Sequence, residues 1–152
     1  DMRAVIQRVK NAWITVNGGE KREMGRGFVV LFGVTDTDKP EDTALLANKI
    51  ANLRVFEDEN GKMNISALDF GADCMVVSQF TLYADTKHGR RPSFIKRAKP
   101  EISEPIYDKF LSEMKNIGFK NVIHGQFGRD MQINLTNDGP VTIIMDTEEW
   151  SK

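Results

Sequence analysis

Apolar and polar positions divide this chain into segments of two periods. Residues 2–9 are rich in β-formers and predict a strand, and residues 12–16, Ala12-Trp13-Ile14-Thr15-Val16, predict a second. Asn17-Gly18-Gly19 then supplies a turn signal. Residues 27–34 are continuously apolar, the pattern of a central strand covered on both faces. Asp38-Lys39-Pro40-Glu41 opens a helix, with Asp38 placed to accept from free N–H groups, Pro40 in the first turn and Glu41 completing a box-like start. Leu46, Ile50 and Leu53 recur at helical spacing and define its buried stripe. Residues 53–56 leave it as a short strand, and Asp58-Glu59-Asn60-Gly61 is a turn. Residues 64–69 have no clear period.

In the second half, Cys74-Met75-Val76-Val77 predicts a buried strand. If it continues through Ser78-Gln79-Phe80-Thr81-Leu82-Tyr83-Ala84, then Ser78, Phe80 and Leu82 share one face, and Gln79, Thr81 and Tyr83 the other. Ser103 and Pro105 start a second helix with Ile106, Phe110, Met114 and Ile117 as its stripe and Gly118 as its stop. Residues 121–124, 131–136 and 141–146 predict the last strands, the final two joined as a hairpin across Asn137-Asp138-Gly139, with Pro140 limiting its pairing. The expectation is one α/β domain over residues 1–152, with a mixed, strongly curved, barrel-like sheet and two main helices; Asp1 stands ahead of the expected initiator Met2.

Composition narrows the class. A hydrophobic content of 40% and a charged content of 28% over 152 residues suit a globular protein with a substantial core. No apolar run approaches the roughly 20 residues of a membrane span, and no secretory pattern opens the chain. The single Cys74 lies in an apolar run and reads as a small core residue, so a cytoplasmic location is the default expectation. The net charge of -1 does not advertise a nucleic-acid binder. Its distribution is more telling: Lys87, Arg90, Arg91, Lys96, Arg97 and Lys99 fall together with no acidic residue among them, enough to hold a few phosphates or to form a solvated loop.

The usual catalytic parts are missing. There is no Gly-x-Ser-x-Gly elbow, no His-Glu-x-x-His, no Cys-x-x-Cys and no Gly-rich phosphate loop ending in Lys. His88 sits in the basic segment, and His124 ends a strand with no evident partner. No metal or other cofactor is expected.

Two motifs in order, Ser78-Gln79-Phe80-Thr81 and Asn137-Asp138-Gly139-Pro140, resemble the D-aminoacyl-tRNA deacylases of the Gly-Pro type. Residues 2–9, 52–56, Gly89-Arg90-Arg91-Pro92-Ser93-Phe94 and Phe127-Gly128-Arg129-Asp130-Met131 match as well, so the resemblance spans nearly the whole chain. It implies hydrolysis of D-aminoacyl-tRNA, and of mischarged glycyl-tRNA such as Gly-tRNA(Ala), as chiral proofreading in translation. Backbone groups of Ser78, Gln79, Phe80 and Thr81 would hold the aminoacyl carbonyl. A cis Gly139-Pro140 peptide, steadied by Arg8, would enter the active site of a homodimer mate and reject L side chains. Phe127 and Met131 would line the adenosine pocket, and Lys87, Arg90 and Arg91 would lie near tRNA phosphates. Water would be activated by the adenosine 2′-OH. Two alternatives stay open: Thr81 as a covalent nucleophile, and a nucleic-acid-binding accessory protein without turnover.

Overall fold

The computed structural model describes residues 2–150. Its strands are β1 (Arg3–Val16), β2 (Arg22–Met24), β3 (Gly27–Gly33), β4 (Phe56–Glu57), β5 (Met63–Ile65), β6 (Asp73–Ser78), β7 (Val122–His124) and β8 (Met131–Asp146). Its helices are α1 (Asp42–Ala51), a one-turn α2 (Ala67–Phe70) and α3 (Pro100–Ile117). The main sheet runs β2-β1-β3-β6-β7, with β8 also on β1. β3, β6 and β7 are mutually parallel, and every pairing of β1 is antiparallel.

The mixed, curved sheet and two long helices expected from the pattern are present. Curvature comes from β1, whose first half pairs with β3 and whose second half pairs with β2 along the same edge. That bend carries β2 round toward β7, where the Arg22 guanidinium donates to the His124 carbonyl and the barrel nearly closes. Parity then sorts the core. Phe28, Val30 and Phe32 of β3 and Cys74 and Val76 of β6 face Leu46 and Ile50 of α1 and Phe110 and Met114 of α3. Val29, Met75 and Val77 face inward with Val9, Ile14 and Met24. Both faces of these strands are covered, which is why their sequences read as unbroken apolar runs.

Four expectations are corrected. The two N-terminal strands are one, because only Lys10 bulges, between Val9 and Asn11, without breaking the ladder. Asp38 does not cap α1; its carboxylate accepts from the Thr35 N–H and hydroxyl and ties down the turn before the helix. α3 begins at Pro100 rather than near Ser103, since Pro at the first helical position forfeits no hydrogen bond, and Pro105 is carried inside. No hairpin joins residues 131–136 to 141–146: both halves belong to β8 and pair with β1 in the same direction, with residues 138–141 looped out between them.

Candidate active site

Strand β6 ends at Ser78, and Phe80–Tyr83 curls into a 3-10 turn instead of continuing extended. The expected alternation over residues 78–84 therefore fails. The cause is local: Gln79 N–H donates to Phe32 O at 2.7 Å, and Leu82 N–H then bonds back to Gln79 O at 3.3 Å. The amides of Phe80 and Thr81 precede that first internal bond, so the turn itself does not use them.

Two contacts hold the turn on the sheet. Beneath it lies Gly33, where an added Cβ would come within 2.9 Å of the Gln79 carbonyl oxygen and 3.3 Å of Leu82 Cβ. At its far end, the Arg3 guanidinium donates to Leu82 O at 2.8 Å, pairs with Asp146 at 3.2 Å and lies 4.6 Å over the Tyr83 ring.

A cavity of about 440 Å³ opens beside the turn. Ser78, Gln79 and Phe80 form one wall, and Phe127, Met131 and Ile133 line it as well. Its titratable lining groups are Arg97, Tyr107, Arg129 and Asp130. Burial first, and Asp108 second, push the Tyr107 phenol well above its ordinary range. It therefore stays protonated, and its hydroxyl donates to Val76 O at 3.1 Å behind the wall. Thr81 does not line the cavity; its hydroxyl accepts from the Gln79 side-chain amide at 2.5 Å.

The second motif stands elsewhere. Gln7 pairs with Thr142 and Val9 with Asn137, so residues 138–141 bulge from β8 opposite Arg8. Asn137 braces the bulge, its Oδ1 accepting from Val141 N–H at 2.7 Å. Arg8 is 5% exposed. Its Nε donates to Asp138 O at 2.9 Å and one terminal nitrogen to Val55 O at 2.6 Å. The Gly139-Pro140 peptide is cis and both residues are exposed. Gly139 has φ of 136°, and a Cβ there would meet Val141 at 2.8 Å and the Arg8 guanidinium at 3.1 Å, so glycine is required. Neither Gly139 nor Pro140 lines the cavity of its own chain.

The structure thus brings Ser78, Gln79, Phe80, Phe127 and Met131 together, and separately joins Arg8 to the Gly139-Pro140 bulge. It leaves Lys87, Arg90 and Arg91 exposed on a loop closed by paired hydrogen bonds between Asp85 and Ser93. Sequence reasoning missed Tyr107 and Gly33, and passed over Arg97 as one cation of a run. The Phe80 ring carries Arg97 4.4 Å above its centroid and meets Phe94 edge-on. Those contacts join residues distant in sequence, so no local pattern could flag them. Cys74 is fully buried as expected, its thiol pushed up by desolvation. His124 does have a polar neighbour, its Nδ1 lying 2.6 Å from Gly125 O. Among the described residues no cluster of His, Cys, Asp or Glu is suited to a metal ion, and no helix is long and apolar enough to cross a membrane.

Comparison with known proteins gives a consistent picture. The family model described as D-Tyr-tRNA(Tyr) deacylase matches residues 5–146. A protein named D-aminoacyl-tRNA deacylase from Thermus aquaticus is 53% identical over 148 residues, covering 97% of this chain and 97% of that one. One of the same name from Parabacteroides distasonis is 52% identical over 147 residues, covering 97% and 98%. A solved structure described as a c-Myc DNA unwinding element binding protein superposes with a TM-score of 0.87 at 39% identity, covering 95% of this chain and 97% of that one.

Proposed function

The chain belongs to the D-Tyr-tRNA(Tyr) deacylase family, and from that membership we propose how it achieves hydrolysis and chiral selection. As a D-aminoacyl-tRNA deacylase it is a hydrolase, cleaving the ester between a D-amino acid and the terminal adenosine of tRNA.

The observation that carries the proposal is the turn at the end of β6, set on the wall of an aromatic-lined cavity. The terminal adenosine enters between Phe127 and Met131, whose π-face and thioether suit a base. The ester carbonyl then points at the backbone of Ser78, Gln79, Phe80 and Thr81. Water adds to the carbonyl carbon, and the negative charge that develops on oxygen is met by the free amides of Phe80 and Thr81. Collapse of the tetrahedral intermediate breaks the bond to the adenosine 3′-oxygen, which takes up a proton. An aminoacyl ester is already activated, so positioning and oxyanion stabilisation supply most of the catalysis. The adjacent 2′-OH relays a proton from the attacking water. Thr81 acts through its backbone: its hydroxyl is engaged by the Gln79 side-chain amide, which is not a base.

Gly139 and Pro140 act in trans. The bulge is exposed and clear of its own cavity, as expected of an element that completes the site of a second copy. In a two-fold homodimer each chain gives and receives one such element. Main-chain carbonyls of Gly139 and Pro140 accept from the substrate α-amino group, and the rigid backbone occupies the space an L side chain needs. Glycine has no side chain to exclude, so mischarged glycyl-tRNA such as Gly-tRNA(Ala) is also a substrate. Lys87, Arg90 and Arg91 meet acceptor-stem phosphates on their exposed loop. The reaction takes place in the cytoplasm.

A second reading, nucleic-acid binding without turnover, draws on that exposed basic loop and on the DNA-binding name of the 39% identical neighbour. Single-turnover assays with D- and L-tyrosyl-tRNA separate the two. The deacylase reading expects rapid release from the D form alone; equal rates, or tight binding with no release, would sink it. The same assay on D-tyrosyl-tRNA ending in 2′-deoxyadenosine should show near-normal binding and a chemical step slower by about 10²–10⁴-fold. An unchanged rate would move the proton relay to a protein group.

A further inference from the structure

The cavity has a cation at its rim that the reaction outlined above does not use. Arg97 lines the cavity, and its guanidinium lies 4.4 Å above the centroid of Phe80. Phe80 is the residue whose amide opens the turn, and at 45% exposure it presents its ring to the solvent side of the cavity. Phe94 holds that ring from one side, edge-on at 5.2 Å. The Arg97 backbone is also fixed: its N–H donates to Phe94 O at 3.2 Å, and it bridges to Thr35 beside β3. Stacking therefore sets the plane of the guanidinium and leaves its N–H edge free. Among the described residues no carboxylate lies within ion-pair distance of it, whereas neighbouring Lys96 is engaged with Asp85 at 3.9 Å. Arg97 is thus an oriented, uncommitted cation at the cavity mouth.

The ligand's chemistry supplies the missing anion. A terminal adenosine held by its ester carbonyl at the turn is a nucleoside whose 5′ carbon must leave through the rim, because the rest of the nucleic acid lies outside. The first group on that path is a phosphodiester, one ribose away from the carbonyl. We propose that Arg97 is the binding residue for the 5′-phosphodiester of the terminal nucleotide, with Phe80 acting as the platform that aims its guanidinium. A planar fork matches two phosphate oxygens, and stacking reduces the ordering cost of making that contact. The pairing also couples recognition to chemistry: a phosphate drawn to Arg97 presses on the residue that carries the oxyanion amide. This inference rests on the deacylase reading of the cavity.

The test compares two small substrates, 3′-O-D-tyrosyl-adenosine and the same nucleoside carrying a 5′-phosphate methyl ester, with wild type and Arg97→Gln. Wild-type hydrolysis of D-tyrosyl-tRNA, run alongside, reports on the deacylase reading itself, whose failure would show there first. Arg97→Gln is expected to lower kcat/KM on the phosphodiester substrate by about tenfold, the usual scale for losing a charged hydrogen bond, and on the bare nucleoside by under about twofold. An equal loss on both substrates would mean that Arg97 acts only by steadying Phe80, and would overturn the assignment. So would no loss on either. Arg129→Gln is the control for diffuse rim charge, and the same phosphate-selective loss from that change would equally overturn it.

Discussion

Two irregular segments of this protein sit on the same sheet and are held in opposite ways. The turn Phe80–Tyr83 follows a parallel strand buried from Asp73 to Val77, rests on Gly33 and borders a cavity of its own chain. The bulge at residues 138–141 interrupts a strand that is half-buried or exposed up to Pro140, and the buried Arg8 and the Asn137 side chain tie it down. The cavity beside the first has room for a ligand; the second lines no part of that cavity. A rigid segment next to a cavity can bind and polarise a carbonyl. A rigid segment with nothing in front of it is built to meet something from outside. On the roles proposed above, the contrast predicts that substitution separates hydrolysis from chiral selection.

Changes at the bulge should have the largest effect. Arg8→Met removes the donor to Asp138 O and Val55 O and leaves two shielded carbonyls unsatisfied, at a cost of about 2–4 kcal/mol together. Urea unfolding should show that loss, and the D-over-L rate ratio should collapse while D-tyrosyl-tRNA is still hydrolysed. A preserved ratio would mean that Gly139 and Pro140 do not filter chirality.

Gly33→Ala attacks the turn from below. Its Cβ would lie 2.9 Å from Gln79 O, so the turn must shift by a few tenths of an ångström. Small displacements of a positioning element can cost up to about 10²-fold. The expected result is a kcat lower by about ten- to a hundredfold with the D-over-L ratio retained, the mirror image of Arg8→Met. A normal kcat would show that the turn's placement is not what sets the rate.

Arg3→Ala is milder, since the guanidinium is partly exposed and its ion pair with Asp146 is screened. Losing the bond to Leu82 O should loosen the end of the turn and reduce kcat by about three- to tenfold with KM little changed. Thr81→Ala should matter least, within about threefold, because the backbone N–H remains. An inactive Thr81→Ala enzyme with an intact fold would revive the covalent nucleophile.

Much of this was legible in the residues alone. Apolar runs at 27–34 and 74–77 mark strands buried on both faces, and Ile106, Phe110 and Met114 mark the inner face of α3, because burial periodicity is written locally. The two motifs and their order were equally plain. Tertiary structure decided the rest. Whether residues 131–136 and 141–146 fold back or run on depended on β1, a strand more than a hundred residues away that is long enough to pair with both. The turn at Phe80 formed because Phe32 O captured the Gln79 amide, and Arg8 went inside because two carbonyls, Val55 and Asp138, converge on it. Hydrogen-bond partners of that kind are chosen in space, among groups that no window of sequence contains. A segment's period can therefore say that it is a strand or a helix, while where it turns, bulges or buries a charge is settled by what it meets.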